Sequence, residues 1–208
     1  MKMNSPQKTA RVAACVFLGI FFLGMSTELF IRPGMIVPGD AASTVRNIAA
    51  SDSLFRLSLV SDLIRQALLM LLPLILYKLL KPVNKTIAAL MVIFYLVSAP
   101  ISMLNELNHF AVLLLSSGAG YLTAFKADQL NALMMFFLDL RKYGTFITQF
   151  FSFWVLLLGY LVFKSGFLPR ILGILLMLGG LCYTVSAVLF FLFPNFDATI
   201  FGLFAFIA

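Results

Sequence analysis

Asp62 and Arg65 stand inside residues 54–80 (LFRLSLVSDLIRQALLMLLPLILYKLL), an apolar stretch long enough to cross a bilayer. A crossing helix needs roughly 20 mostly apolar residues. Between Arg65 and Lys78 there are only about a dozen, so a crossing must take both charges into the membrane. Ionisable groups are costly there unless they are paired or face a polar interior, and their default meaning is a binding or proton-handling site. Ser58, Asp62 and Arg65 are spaced i, i+4 and i+7, one stripe on one helix face. Glu28 precedes Arg32 by four residues, acid first, the spacing at which the pair can meet. Asn105, Glu106, Asn108 and His109 lie near the end of another apolar run, and Asp139, Arg141 and Lys142 lie along a third.

The chemistry open to such groups is limited. Guanidiniums hold an anionic group, and carboxylates keep them ordered when it is absent. Glu106 and His109 at i,i+3 have the spacing of carboxylate–histidine pairs in bundle metal sites. With a single histidine in the chain, however, a metal centre would have to be mostly carboxylate, and none is expected. A serine nucleophile has no GxSxG setting, and neither a P-loop nor a GxGxxG occurs, so no cofactor is expected. The inner halves of the spans are nearly free of charge, which argues against a complete ion or proton path.

The elements that must position these groups follow from composition. The 208 residues are 62% hydrophobic and 11% charged, far from the roughly 45–50% and 25% of soluble domains. The expected fold class is all-α, a polytopic transmembrane helix bundle forming one domain over residues 1–208. Spans are expected over about 12–32, 54–79, 86–109, 145–163 and 170–193, with 197–208 as the start of a sixth. A short outer helix, AASTVRNIAA, is expected after the first span with Asp40 as its N-cap. Segment 86–116 exceeds the hydrocarbon thickness and should tilt, project or kink at Pro100. Residues 129–144 read as an amphipathic extension, with Asp128 as their cap. Thr145, Ser152, Gly159 and Gly166 form one row of small residues at heptad spacing, and Gly173, Gly180 and Ala187 form another. Such rows let helix backbones approach closely in lipid, so the fourth and fifth spans are expected to pack along them. Cys15 and Cys182 lie in apolar runs and read as small hydrophobes.

The net charge of +7 is a topology signal rather than a nucleic-acid footprint. The N-terminus, the 78–85 loop and the 164–170 loop carry lysine and arginine without acids, while the alternate loops are balanced. The positive-inside rule then puts the N-terminus in the cytoplasm.

Taken in order, ELFIRPGMIVPGDAASTVRNI, SLFRLSLVSDL, YKLLKPVNK, FLDLRKYG, LLGYLVFKSGFLPRILG and LMLGGLCY resemble a family of small bacterial multi-pass membrane proteins. It is the domain of unknown function four-three-eight-six, and the resemblance spans nearly the whole chain. It implies a bacterial inner-membrane protein of six spans and carries no established activity. The family pattern has a histidine in the motif matched by Asp139-Leu140-Arg141 and another near Trp154. This chain has Arg141 and Trp154 there, so an activity resting on those histidines would be lost or altered.

The chain is therefore read as a non-enzymatic membrane protein with an outward-facing charged pocket for a small ligand or lipid headgroup, acting as a sensor or a partner subunit. The expected lining is Glu28, Arg32, Arg56, Asp62, Arg65, Asn105, His109, Asp139 and Arg141. The alternatives are an intramembrane hydrolase using pocket carboxylates or His109, and a purely structural cluster whose groups pair to fix helix register. Its expected partners are the bilayer, a lipid or small molecule and another membrane protein. Reporter tags test the topology: one near Lys81 should report the cytoplasm and one near Asp40 the outside. The reverse pattern would remove the basis for placing the charged groups on the outer side.

Overall fold

The computed structural model describes residues 5–37, 39–150 and 152–193, and among them the chain forms seven α-helices. They are α1 Ser5–Ser26, α2 Ala41–Ala50, α3 Asp52–Leu80, α4 Lys85–Leu115, α5 Ala127–Phe150, α6 Phe153–Ser165 and α7 Arg170–Leu192. No strand occurs among the described residues. Four stretches, Gln7–Gly34, Asp52–Leu80, Lys85–Leu115 and Arg170–Leu192, are long and apolar enough to cross a membrane; α5 and α6 make a fifth if the pair counts as one. Phe22, Phe30 and Leu104 are more than 60% exposed, as side chains facing lipid must be. This is a membrane-embedded, all-helical protein. The expected partial span at 197–208 lies outside the described residues.

Local chemistry sets the helix ends. Asp40 caps α2 as its sequence position predicts, accepting from Ser43 N–H at 2.9 Å. These bonds, chiefly the one from the Ser43 hydroxyl, hold the Asp40 carboxyl below its usual range. Asn84 caps α4 by accepting from Ile87 N–H at 3.0 Å. Asp128 does not cap α5, because the helix has already begun at Ala127. Gln129 instead reaches back to Lys126 N–H at 2.9 Å, the returning half of a capping box. Helix α4 runs unbroken through Pro100 and α3 through Pro73. The break in the fourth segment falls between α5 and α6, with Ser152 at the N-cap of α6, rather than at 144.

The described residues form two compact units. One comprises residues 18–68 and 102–144, the other residues 5–17, 69–101 and 145–193. All the acids except Asp197 lie in the first, matched there by seven arginines and lysines. The second has no acid among its described residues, yet carries Lys8, Arg11, Lys78, Lys81, Lys85, Lys164 and Arg170.

The core of the charged unit is Met35, Ile48, Phe55, Leu59, Val112, Met134 and Leu138. Ile48, from the short α2, is essentially sealed, so α2 is part of the packing. The core of the basic unit joins Leu80, Ala88 and Met91 to Leu158, Leu161 and Val162 of α6. Tyr95 meets Trp154 edge to face at 5.2 Å, and Phe146 stacks on Phe190 at 3.7 Å.

Helices α6 and α7 pack along the rows of small residues. A Cβ on Gly159 would lie 2.7 Å from the Gly173 carbonyl oxygen, and one on Gly173 would lie 2.6 Å from Phe163 N. Gly180 is similarly close to Leu156. Gly166 leaves the row: it has φ +72° and closes α6 in the left-handed conformation that glycine adopts most easily. Because the atoms facing Gly159 and Gly173 include backbone, they cannot yield without moving a helix. Gly159→Ala or Gly173→Ala should cost about 1–3 kcal/mol by overpacking, while Gly24→Ala, with its nearest contact at 3.5 Å, should be neutral or slightly stabilising. Thermal unfolding in detergent that ranked Gly24→Ala worst would overturn this account of the α6–α7 contact.

Candidate functional site

The charged unit places one acid almost completely out of contact with solvent. Asp62 is 2% exposed, on the α3 face that also buries Phe55, Ser58, Leu59 and Gln66. Their spacing follows the helical period, so a single stripe of α3 changes from apolar to polar along its length.

Three guanidiniums converge on Asp62. Arg32 Nη2 donates to Asp62 Oδ2 at 2.5 Å, Arg65 Nη2 to Oδ1 at 3.2 Å, and Arg141 Nη2 lies 3.6 Å from Oδ2. Arg141 also donates to Glu106 Oε1 at 3.4 Å. Glu106 Oε2 in turn lies 3.2 Å from His109 Nδ1, both residues being buried. The His109 ring meets Phe55 edge to face at 5.6 Å, joining the polar cluster to the apolar core. Glu28 pairs with Arg32 at i,i+4 as the sequence predicts, from a position 59% exposed.

Each arginine is brought in by a specific backbone feature. At the end of α1 the helix widens into a π turn, Thr27–Ile31, in which Arg32 N–H donates to the Thr27 carbonyl. Single π turns are frequent at functional sites because they re-aim the next side chain. Pro33 follows with no N–H to continue the α ladder, and Arg32–Gly34 forms a 3₁₀ turn. Gly24, in the last turn of α1, lies against the Arg65 stem: a Cβ there would be 3.5 Å from Arg65 Cδ. Arg141 is held through its backbone, since Asn105 Nδ2 donates to its carbonyl at 2.9 Å. Asn108 Nδ2 donates to the Asn105 side-chain oxygen at 3.0 Å. Gly144 leaves room for this bracket, because a Cβ at 144 would overlap the Asn105 carboxamide.

Of the residues singled out in the sequence, the structure brings together Glu28, Arg32, Asp62, Arg65, His109 and Arg141, with Asn105 as the bracket. Arg56 and Asp139 are elsewhere. Arg56 pairs with Asp52 at 2.7 Å on the exposed first turn of α3. Asp139 is exposed, one residue past the face that buries Met134 and Leu138 and presents Arg141. Glu106, left out of the expected lining, is central. Its i,i+3 spacing to His109 within an apolar run was the available signal.

Membership of a family accompanies this geometry. The family described as "Domain of unknown function (DUF4386)" matches residues 12–208. The chain belongs to this family. No curated protein and no solved structure matches it. The family description therefore contributes a fold-wide match and no chemistry, and the site has to be argued from its own atoms.

Asp62, Glu106 and His109 each offer a ligand atom within 4.8 Å of the others, so the set could hold a metal ion. Arg32, Arg65 and Arg141 already contact these carboxylates, however. A dication would have to break those ion pairs and leave guanidiniums buried beside it, at a cost of several kcal/mol each. The donor set fits a metal by type, while the surrounding charge opposes one.

Removing the carboxylate of Asp62 strands the same guanidiniums. Asp62→Asn should lower stability by about 3–5 kcal/mol, well beyond the effect of Asp139→Asn on the exposed face. Gly144→Val should destabilise through loss of the Asn105 bracket. Equal melting temperatures for the Asp62 and Asp139 variants would contradict the central role given to Asp62.

Proposed function

We propose that this chain is a membrane-embedded binding protein whose guanidinium cluster takes an anionic group, a carboxylate or a phosphate, carried by a small molecule or a lipid headgroup. The observation that carries the reading is the excess of donors over acceptors. Each guanidinium has five N–H donors and each carboxylate about four acceptor sites, so three arginines bring about fifteen donors to the roughly twelve sites of Glu28, Asp62 and Glu106. Arg32 Nε is buried with no hydrogen-bond partner. A buried unpaired donor costs about 1–3 kcal/mol, and an incoming oxyanion would recover it. Glu28, the exposed partner of Arg32, is the carboxylate most readily exchanged for such an anion.

In this reading the chain has five spans, with a cytoplasmic N-terminus in a bacterial inner membrane. The cluster then opens outward, and the protein serves as a sensor or a partner subunit. Support comes from the loop charges and from the gathering of the acids in one unit. A hydrolytic role would draw on Asp62, Glu106 and His109, whose proximity is its one specific support.

Thermal shift of the detergent-purified chain tests the proposal. Inorganic phosphate, acetate or phosphatidylglycerol should raise the melting temperature by several degrees. Arg32→Gln should retain the fold and lose at least about tenfold in affinity, the loss expected for a charge-assisted pair. A response to phosphate or acetate points to a small anion, and a response to phosphatidylglycerol alone that Arg32→Gln abolishes points to a headgroup. If none of the three produces a shift that Arg32→Gln removes, the cluster is an ion-pair lock and the binding reading fails. If Mn²⁺ or Zn²⁺ shifts it instead, and His109→Asn removes that shift, the metal-assisted reading replaces it.

A further inference from the structure

The basic unit carries a feature that the charged cluster does not explain. Where α1 begins, α3 ends and α6 turns into α7, a groove of about 770 Å³ is lined by Gln7, Thr9, Ala10, Lys78, Leu79, Lys81, Pro82, Phe167 and Leu168. Its wall is mixed in a particular way. Leu79, Pro82, Phe167 and Leu168 supply an apolar side, and Phe167 is 53% exposed. Lys78 and Lys81, both exposed, supply two cations one helical turn apart.

The surrounding charge makes this arrangement one-sided. No acid occurs among the described residues of this unit, so neither lysine has a carboxylate among them to pair with. In the other unit, by contrast, three arginines are answered locally: Arg56 by Asp52, Arg32 by Glu28 and Asp62, Arg65 by Asp62. The carbonyl end of α3 attracts Lys78 through the helix dipole, but that interaction accounts for a fraction of one charge. Two unanswered ammonium groups beside an apolar wall, at the end of membrane-crossing helices, match the two halves of one kind of molecule. It has an anionic phosphate at the water boundary and hydrocarbon just beneath it.

We infer that this groove is a docking site for an anionic phospholipid, with Lys78 and Lys81 on the phosphate and Leu79, Phe167 and Leu168 against the acyl chains. Lysine binds phosphate as a point charge rather than a fork, so the site selects for headgroup charge and not for headgroup shape. Phosphatidylglycerol and other anionic lipids bind more tightly than zwitterionic phosphatidylcholine. This inference is independent of the anion site around Arg32.

Native mass spectrometry of the full chain, incubated with equimolar phosphatidylglycerol and phosphatidylcholine in detergent, tests it. The wild type should retain phosphatidylglycerol preferentially. At about fivefold per lysine, Lys78→Gln with Lys81→Gln should reduce that preference by roughly 25-fold. Both lysines are exposed, so the double variant should keep its melting temperature, and Arg56→Gln, on the exposed first turn of α3, should keep the preference. Phe167→Ser should weaken retention of both lipids alike. Equal retention of the two lipids by the wild type would overturn the assignment. So would an unchanged preference in the double lysine variant, or complete displacement of the lipid by inorganic phosphate, which would mean the apolar wall contributes nothing.

Discussion

A carboxylate sealed from water has to be matched by positive charge, and the charged unit is arranged to match Asp62. The alternative for the chain is an unpaired ion in a medium of low dielectric, at a cost of several kcal/mol. Arg65 is local to Asp62, but Arg32 arrives from the end of α1 and Arg141 from α5. The π turn at Thr27–Ile31, the proline after Arg32 and the glycine at 144 all act on where those two arginines fall. One buried oxygen pair therefore constrains three helices. Ion-pair clusters of this kind fix how helices meet even where their net contribution to stability is small.

The two units handle charge in opposite ways. In one, acids and bases are equal in number and the buried ones are interlocked. In the other, seven cations stand with no acid among the described residues. A self-paired cluster needs no outside partner to be stable but holds surplus N–H donors. An all-basic end needs counterions from outside, and a bilayer surface supplies them in quantity. Packing follows the same division. The charged unit joins its helices partly through polar contacts, whereas α6 and α7 close on each other through glycines that let backbone meet backbone.

The sequence by itself determined which segments are helical, roughly where they stop, and that they belong in a membrane. It also determined the local pairs, Glu28 with Arg32 and the stripe Ser58–Asp62–Arg65, and the small-residue contact at Gly159 and Gly173. All of these rest on interactions along one helix or on a repeat within it: apolar run length, capping side chains and i,i+4 spacing. Tertiary structure alone decided which charges share a site. Arg56 and Asp139 have the right residue types and the right position along their segments, yet one finds Asp52 a turn away and the other faces outward. Glu106 enters because α4 turns it toward Arg141, 35 residues away in the chain. The break before Phe153 likewise falls where no glycine or proline marks it. A helix face can be counted from the residues on it, but which other helix lies against that face depends on the simultaneous packing of the rest, and no local spacing encodes it.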